Sequence, residues 1–382
     1  MNSFNPIYRK TIGIDVSSFN HPITGIGRYT IEVVSKLVLN DKVNWILYSN
    51  LYHEEFKSLE GNNIKFKFLR FNVRYSKLIW GQIFLPAMLA KDKVDLFWSP
   101  THRSPYLGTF KIPAVITIHD LNWKKVPLSM KFLTRFLDSF LMPASIKKAA
   151  KIISVSNSTA LDICDQFPEA SSKVYTIHLG ASNKIDKKTI GNKADVNLLF
   201  HKYILFVGTL EPRKNLVRLV EAFSLVPINL REDIKLVLVG GHGWGMKSIA
   251  DICQQFKVVK DVVKLGYVSD FELEKLYQHA YFLVIPSLYE GFGLPIVEAM
   301  KYGVPSLTSN LSSMPEIAGD ASIQVDPYSV DSIKDGLVKM LSDGNLLIKL
   351  RECANKRCGQ FDWSITAQQT MDVFLDALNT NV

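Results

Sequence analysis

A chain of 382 residues is longer than one ordinary hydrophobic core needs, so about two domains are expected. A content of 47% hydrophobic and 21% charged residues is typical of a folded globular protein and excludes a disordered or fibrous chain. The net charge of +9 is uneven: residues 1–183 hold 23 Lys and Arg against 13 Asp and Glu, or +10, and the rest hold 22 against 23, or −1.

The first half alternates strand-like and helix-like runs. A buried strand is predicted at Thr11–Val16, a glycine-rich loop at Thr24–Tyr29 and a helix at Ile31–Leu39. Because continuous apolar strands separated by helices are typical of a parallel sheet covered on both faces, this half is predicted to be Rossmann-like. Its further strands are predicted at Val43–Ser49, Ile64–Leu69, Val94–Pro100, Ala114–Asp120, Lys151–Ser156 and Lys173–Gly180.

The segment Lys124–Lys151 carries seven basic residues and one acidic residue. Its apolar positions fall on one helical face that Pro143 interrupts. Two interpretations stay open: the face packs into the core, or it lies on an anionic membrane surface. The positions on this face are Leu133, Phe136, Leu137, Phe140 and Leu141.

The polar stretch Asn183–Lys202 is predicted to connect two domains. A second alternation starts at Tyr203, and a final helical pattern follows a break at Phe361–Trp363. In open parallel sheets of this kind, ligands bind beyond the carboxyl ends of the strands. The later strands are predicted at Ile234–Gly241, Val262–Val268, Tyr281–Ser287, Val304–Asn310 and Ser322–Asp326.

Two carboxylates, Glu290 and Glu298, stand in the stretch SLYEGFGLPIVEAM. They are interpreted as hydrogen-bond acceptors for one polyhydroxyl ligand, as a catalytic acid and base, or as surface charges. Because both come from one local segment, the first interpretation is favoured over a glycosidase-like pair. The backbone amides of Phe292, Gly293 and Leu294, at the start of the following helix, suit a phosphate oxygen or a hydroxyl.

A second candidate site is GTLEPRKN, in which Gly208 ends a strand and Arg213 and Lys214 precede a helix. Two cations at a helix start oppose the helix dipole, so a bound diphosphate would relieve the misfit. Two solvated charges are the alternative. In the first half, Gly25 and Gly27 allow a close backbone approach to an anion or form an ordinary turn, and His119 ends the strand AVITIHD at the mouth of the sheet.

Several common sites are not indicated. The four cysteines form no CxxC pair, and the chain has neither a DxD triplet nor a Walker loop, so no metal or other cofactor is predicted. No zinc-finger, helix-turn-helix or RNP-like pattern accompanies the basic charge, so no nucleic-acid partner is predicted either. The N-terminal MNSFNPIYRK lacks a signal-peptide pattern, and no apolar run is long enough to span a bilayer. A cytoplasmic protein is expected, either free or peripheral on the inner face of the cell membrane.

These motifs together resemble the retaining glycosyltransferases of family 4. The resemblance covers the chain from about Thr11 to Leu378 and implies a GT-B fold of class α/β: two Rossmann-like domains with parallel sheets face a central cleft, and the final helix crosses back to the first domain. The implied domains are residues 1–183 with 364–382 on the acceptor side, and 184–363 on the donor side. The motifs, in chain order, are ITGIGRY, VITIHD, IISVSNST, GTLEPRKN, SLYEGFGLPIVEAM and KYGVPSLTSNLSSMPEIAGDASIQVDP.

The resemblance also implies roles for the candidate residues. Arg213 and Lys214, beside Gly208, would hold the donor diphosphate, and Glu298 would bind the ribose hydroxyls. Glu290 and the amides of Phe292, Gly293 and Leu294 would contact the transferred sugar. His119 would approach the C6 region of that sugar, and Gly25 and Gly27 would let the N-terminal loop close over phosphate and acceptor.

The implied reaction moves a hexose, best matched by mannose from GDP-mannose, to a hydroxyl of a lipid-linked or glycan acceptor in bacterial polysaccharide synthesis. It would proceed with retention and without metal, and the leaving phosphate would take the acceptor proton. Nothing in Asn72–Trp80 or Arg103–Lys111 indicates the acceptor. A nucleotide-sugar epimerase of the same fold and an inactive nucleotide-sugar-binding protein are the alternatives.

Overall fold

The structure, a computed structural model, describes residues 9–19, 23, 25–69, 79–105, 111–181 and 202–380. The predicted interdomain connection therefore lies outside the described residues, apart from Lys202, which begins a strand. Most of the two acceptor-side stretches, 72–78 and 106–110, also lies outside them.

The chain divides into two compact units. The first contains Met1–Leu121, Leu137–Leu179 and Trp363–Val382, and the second contains Asn122–Phe136 and Gly180–Asp362. The division proposed from the sequence differs in three places, because it put 122–136 and 180–183 in the first domain and residue 363 in the second.

The first unit is built on a seven-stranded sheet in the order β3-β2-β1-β4-β5-β6-β7. Every pairing between these strands is parallel, and the inner strands are buried along most of their length. Burial on both faces explains why the strands read as continuous apolar runs. The strands are β1 (Thr11–Asp15), β2 (Asn44–Ser49), β3 (Ile64–Phe68), β4 (Leu96–Ser99), β5 (Ala114–Ile118), β6 (Lys151–Ser154) and β7 (Val174–Thr176).

Helices connect these strands, and one π-helical stretch at Trp80–Phe84 leads into the third of them. Trp80, Leu85 and Leu89 from this region pack with Tyr48 and Phe97 in one core cluster. The helices of the first half are α1 (Gly25–Leu37), α2 (Glu54–Lys57), α3 (Leu85–Lys91), α4 (Asn122–Lys125), α5 (Phe132–Lys148) and α6 (Asn157–Gln166), with 3-10 turns at Pro127–Ser129 and Pro168–Lys173.

The second unit contains a six-stranded parallel sheet in the order β10-β9-β8-β11-β12-β13. Its strands are β8 (Lys202–Val207), β9 (Ile234–Val239), β10 (Val262–Gly266), β11 (Phe282–Ile285), β12 (Ser306–Ser309) and β13 (Ser322–Val325). Each strand of both sheets overlaps a predicted strand, so the prediction of two parallel, Rossmann-like sheets is confirmed.

The helices of the second half bury regular apolar stripes. In the helix after β8, Leu216, Leu219, Val220 and Phe223 recur at helical spacing, and all four are buried in the core. The helices are α7 (Leu216–Ser224), α8 (Ile228–Arg231), α9 (Ile249–Gln255), α10 (Asp270–His279), α11 (Leu294–Met300), α12 (Met314–Ala318), α13 (Val330–Ser342), α14 (Gly344–Cys358) and α15 (Trp363–Asn379), with 3-10 turns at Pro212–Lys214 and Gly319–Ala321.

The C-terminal helix α15 belongs to the first unit, as predicted. Its Phe374 ring lies 5.4 Å from the ring of Trp98 in β4. The Asp376 carboxylate forms an ion pair of 2.7 Å with Lys151 of β6 and accepts a hydrogen bond of 2.6 Å from Tyr175 of β7. The chain therefore returns to its first sheet after completing the second.

Two local predictions are wrong. Helix α1 begins at Gly25, so Gly25 and Gly27 form its first turn rather than a loop. Helix α5 runs through Pro143 without a break, since a proline removes one helical hydrogen bond without ending a helix that packing supports. Among the described residues, no helix is long and apolar enough to cross a membrane.

Candidate functional site

The second sheet reverses its strand order at β8, which pairs with β9 on one side and with β11 on the other. The carboxyl ends of parallel strands at such a reversal flank a crevice, the usual ligand site of this architecture. The loop after β8 carries Arg213 and Lys214, and the loop after β11 carries Glu290. The fold thus brings together two motifs that lie more than seventy residues apart.

Glu290 binds both cations at once. Its Oε2 lies 2.6 Å from Arg213 Nη1, and its Oε1 lies 2.5 Å from Lys214 Nζ. Arg213 also donates to the Tyr289 carbonyl oxygen at 3.1 Å and pairs through Nε with Glu211 at 2.6 Å. The sequence predicted a bound anion beside Arg213 and Lys214, and in the structure the carboxylate of Glu290 supplies that negative charge.

Burial makes the electrostatics of this cluster strong. Lys214 and Glu290 are 6% and 7% exposed. Burial alone would raise the pKa of Glu290, but Arg213 and Lys214 outweigh it and lower that pKa to about 2. Burial also lowers the pKa of Lys214, although the charge of Glu290 opposes this shift. The lowered pKa favours the ionised form of Glu290 near neutral pH and therefore disfavours the interpretation of this residue as a catalytic acid.

Two glycines let the loop after β8 adopt its path. Gly208 has a φ of +151°, and a Cβ there would lie 3.3 Å from Cε of Lys214. Gly240, at the end of β9, has a φ of +137°, and its Cβ would overlap the Gly208 carbonyl oxygen. The ends of β8 and β9 approach each other so closely that Gly240 has no room for a side chain. The space beside Gly208 is occupied by the side chain of Lys214.

Asn215 fixes the end of this loop. It has a φ of 63°, and its side-chain amide donates to the carbonyl oxygens of Pro286 at 3.0 Å and Pro327 at 2.6 Å. One buried side chain thus joins the loops that follow β8, β11 and β13.

Three serines that sequence reasoning missed hold the Glu290 loop. Ser287 Oγ donates to Glu290 Oε1 at 2.8 Å, and Ser312 Oγ accepts from the Glu290 backbone N–H at 3.0 Å. Ser313 Oγ lies within hydrogen-bond distance of the carbonyl oxygens of Glu290 and Phe292. Their occurrence in SLYEGFG and SNLSSMPE was visible in the sequence, but serine is too common in loops to signal such contacts.

The backbone amides of Phe292, Gly293 and Leu294 were predicted to lie at the start of a helix, and this helix is α11. Gly293 caps α11 with a φ of 102°, and Leu294 is the first residue of that helix. Phe292 is buried, and its ring meets that of Phe361 edge-on at 5.9 Å. The predicted contact of these amides with a donor sugar stays a prediction.

Glu298 has different partners from Glu290. It lies in α11, is half-buried, and its Oε2 accepts a hydrogen bond of 2.8 Å from the hydroxyl of Tyr277 in α10. The Tyr277 ring stacks on that of Tyr302 at 6.2 Å. Tyr277 was not identified from the sequence, and it fixes the orientation of the carboxylate predicted to bind ribose.

The first sheet also reverses its strand order, between β1 and β4. A cleft of about 310 Å³ opens at the carboxyl ends of these two strands. Sequence reasoning missed it, because its walls come from five separate stretches of the chain. The polar side chains that line it are Asp15, Ser17, Ser18, Gln82, Thr101, His102, Arg103 and Ser104, and Trp80 lies among them.

One buried carboxylate organises the wall of this cleft. Asp138 of α5 accepts hydrogen bonds of 3.1 Å from both His102 and Arg103. Burial would raise the pKa of Asp138, but His102 and Arg103 lower it overall. The solitary acid in a basic segment was the available signal, although its partners lie 35 and 36 residues away.

His119 lies at the end of β5, where it was predicted. Its Nε2 is 2.8 Å from the carbonyl oxygen of Pro100, so this nitrogen carries the hydrogen. Burial lowers the pKa of the ring, which favours the neutral form with Nδ1 as an acceptor. Its ring lies edge-on to that of Tyr29 in α1, the helix that Gly25 and Gly27 begin. The predicted sugar and phosphate contacts of these residues stay predictions.

Among the described residues, no group of three His, Cys, Asp or Glu side chains is placed to hold a metal ion. The four cysteines are unbridged thiols.

Solved structures of other proteins share this fold. Sucrose-phosphate synthase from Thermosynechococcus elongatus superimposes with a TM-score of 0.72 at 17% identity, covering 97% of this chain and 100% of that one. HepE of Anabaena in complex with UDP-glucose gives a TM-score of 0.70 at 17% identity, with coverages of 97% and 100%. The chain thus has the GT-B fold of glycosyltransferases.

Sequence similarity shows to which family of glycosyltransferases the chain belongs. Residues 23–182 match the family model described as Glycosyltransferase Family 4, and residues 194–357 match the model described as Glycosyl transferases group 1. The chain is 31% identical over 378 residues to the O-antigen chain mannosyltransferase B of Escherichia coli, which covers 93% of this chain and 96% of that protein. The chain belongs to the family-4 glycosyltransferases.

Proposed function

We propose that this protein transfers mannose from GDP-mannose, with retention at the anomeric carbon and without a metal ion, to a hydroxyl of a glycan or lipid-linked acceptor in polysaccharide synthesis. The observation that carries the proposal is the cluster of Arg213, Lys214 and Glu290 at the reversal of the second sheet. The similarity to an O-antigen chain mannosyltransferase supports mannose and a polysaccharide product.

The cation pair suits a departing diphosphate. Lys214 has three N–H donors, and among the described residues Glu290 is the acceptor that its ammonium meets. A buried ammonium favours further acceptors, which the phosphate oxygens of a nucleotide sugar provide. As the bond to the sugar breaks, negative charge grows on that phosphate, and fixed cations stabilise it without reorganising.

Glu290 has two roles in this proposal. It holds Arg213 and Lys214 in position, and its ionised carboxylate contacts the transferred sugar beside the amides of Phe292, Gly293 and Leu294. Because the low pKa of Glu290 makes its carboxylate a weak base, we assign the acceptor proton to the leaving phosphate. Glu298, oriented by Tyr277, accepts hydrogen bonds from the ribose hydroxyls.

The cleft of the first unit is the proposed acceptor site. Hydroxyl, amide, imidazole and guanidinium groups line it, and these groups suit a polyhydroxyl ligand. Asp138 holds His102 and Arg103 in fixed orientations. Arg103→Ala is expected to raise the KM for the acceptor while leaving the KM for the donor unchanged.

The test is a transfer assay with GDP-mannose, UDP-glucose and ADP-glucose, on mannose-terminated oligosaccharides and on lipid extracts, with the anomeric configuration of the product read by NMR. We expect mannosyl transfer with retention in the presence of EDTA. Lys214→Ala should lower turnover by about 10²-fold or more, since a fixed charge at the departing group is lost.

Other outcomes would favour the alternatives. Isomerised or hydrolysed donor without any acceptor product would indicate an epimerase-like enzyme. Nucleotide binding with no turnover would indicate an inactive binding protein. Loss of activity in EDTA that Mg²⁺ or Mn²⁺ restores would overturn the metal-free mechanism, and full activity of Lys214→Ala would overturn the site.

A further inference from the structure

Helix α5 and the turn before it expose a row of large apolar side chains. Phe132, Leu133, Phe136 and Phe140 recur at positions i, i+1, i+4 and i+8, which places them within about 100° of the helix circumference. The Phe132 and Phe136 rings stack at 6.3 Å. The exposed fractions are 87% for Leu128, 80% for Phe132, 61% for Leu133, 50% for Phe136 and 63% for Phe140. We call these five side chains the α5 apolar row.

The structure separates this row from the core-facing side of the same helix. Asp138, Leu141, Met142, Ser145 and Ile146 are buried on the opposite side. Of the five apolar positions that the sequence placed on one face, Leu141 thus packs inward and Leu137 is half-buried, whereas the remaining three are exposed. Core packing accounts for the inner side of α5 and leaves the α5 apolar row in water.

Positive charge surrounds the row. Lys124, Lys125, Lys131 and Arg135 are exposed near its N-terminal end, and Lys147 and Lys148 are exposed at the end of α5. The solitary acid of this segment, Asp138, is buried against His102 and Arg103, so it does not reduce the outward charge. Lys151 is buried and paired with Asp376, so it belongs to the fold rather than to this surface.

We propose that the α5 apolar row and its surrounding basic side chains bind an anionic lipid bilayer, with α5 lying in the plane of the interface. Phenylalanine and leucine side chains on one helical face enter the boundary between headgroups and acyl chains, while lysines reach the lipid phosphates. This inference concerns attachment to lipid and does not depend on which sugar the enzyme transfers.

The composition of the surface favours a bilayer over a protein partner. Five of the six surrounding cations are lysines. Protein interfaces are depleted in lysine and enriched in arginine, whereas flexible, strongly hydrated lysine side chains suit the headgroup region. A bilayer also accepts several phenylalanine rings at once without a shaped pocket.

The experiment is flotation of the full-length protein with vesicles of phosphatidylcholine alone and of phosphatidylcholine mixed with phosphatidylglycerol. No nucleotide-sugar donor is added, so the result is independent of transfer. We expect binding to the anionic vesicles that weakens as salt rises from about 0.1 M to 1 M. The triple variant Phe132→Ser, Phe136→Ser, Phe140→Ser should lose about tenfold or more in affinity, because apolar area no longer enters the bilayer. The variant with Lys124, Lys125, Lys131 and Arg135 changed to Gln should lose a similar factor on anionic vesicles only.

Matched variants control for lost area and lost charge elsewhere. Leu225→Ser with Ile228→Ser removes two exposed apolar side chains of the second unit, and glutamine at Lys257, Lys260, Lys264 and Lys349 removes four exposed charges there. Both controls should float like the wild type, and thermal unfolding should be unchanged in all four variants. Absence of wild-type flotation, equal flotation of the test variants and the wild type, or capture of a protein partner by this surface without lipid binding would each overturn the proposal.

Discussion

Glu290 is a buried carboxylate whose two oxygens serve two different cations. Because Arg213 and Lys214 each lose a charged partner if Glu290 is removed, this residue organises the cation pair. A buried pair broken on one side is far more costly than an exposed one, since the remaining charge stays desolvated. Substitutions of Glu290 are therefore expected to change both the stability of the protein and, under the proposed function, nucleotide binding, and two separate measurements distinguish these effects.

Glu290→Gln should separate product binding from turnover. The amide keeps the shape of the side chain but releases the negative charge that competes with phosphate for Arg213 and Lys214. We expect GDP to bind at least as tightly as to the wild type by calorimetry, while turnover falls by about 10²-fold or more. Glu298→Gln is the matched control, and it should weaken GDP binding through the ribose. A large loss of GDP affinity in Glu290→Gln would contradict the proposed competition.

The same variant should change how stability depends on pH. The pKa of Glu290 is about 2 in the folded protein and near 4.3 in an unfolded chain. Unfolding at low pH takes up a proton, so the stability that this carboxylate contributes is complete above about pH 5 and is lost as pH falls toward 2. The difference in free energy of unfolding between wild type and Glu290→Gln should therefore shrink between about pH 5 and pH 3. Glu352→Gln, which replaces an exposed carboxylate, is the control and should show no such trend. A difference in free energy of unfolding between wild type and Glu290→Gln that does not change with pH would contradict the prediction.

The partners of Glu290 could not be predicted at the residue scale. The family resemblance implied that Arg213, Lys214 and Glu290 bind one nucleotide sugar, and each of them follows an apolar strand. It did not indicate that Glu290 holds the two cations directly, because a contact between loops 76 residues apart depends on strand order. The same limit hid Tyr277 and the pairing of Asp138 with His102 and Arg103.

At the scale of elements, apolar runs in the sequence were sufficient to predict where the strands lie. They were not sufficient to predict where the helices begin. Strands buried on both faces must be continuously apolar, so their positions follow from composition alone. Helix α1 begins at Gly25, a residue that disfavours helix interiors, so the pattern indicated a loop there. Tertiary packing of Tyr29, Val33 and Val34 overrides that local preference.

The close approach of the backbone after β8 to the end of β9 leads to a prediction at the scale of elements. Gly240→Ala places a Cβ onto the Gly208 carbonyl oxygen and forces a φ of +137° on an alanine. We expect a loss of about 3 kcal/mol or more in free energy of unfolding, together with lost nucleotide affinity, because the Lys214 loop must move. Gly241→Ala is the matched control, since a Cβ there meets no atom within 4 Å. Equal stability of the two variants by urea unfolding would show that the close approach is not required.

At the scale of the whole molecule, the first unit is built from both ends of the chain, and most of the second unit lies between them in sequence. The first unit is completed by α15, nearly two hundred residues after its last strand. The break at Phe361–Trp363 and the helical spacing after it predicted this helix, and the family resemblance predicted where it packs. The packing partners, such as Trp98 and Tyr175, could not be read from the helix sequence, because a buried stripe shows which face of a helix packs inward but not which strands it packs against.

Because α15 supplies part of the first core, its loss should loosen strands far away in sequence. Phe374 is fully buried against Trp98, so Phe374→Ala should lower the stability of the first unit by about 3–5 kcal/mol. Hydrogen exchange should rise in β4, β5 and β6, which α15 contacts, and should stay unchanged in β8 and β9 of the second unit. The adjacent Leu375 is 47% exposed, and Leu375→Ala should change stability by no more than about 0.5 kcal/mol. If both variants loosened both sheets equally, α15 would not be the specific support of the first sheet that its contacts with Trp98, Lys151 and Tyr175 indicate.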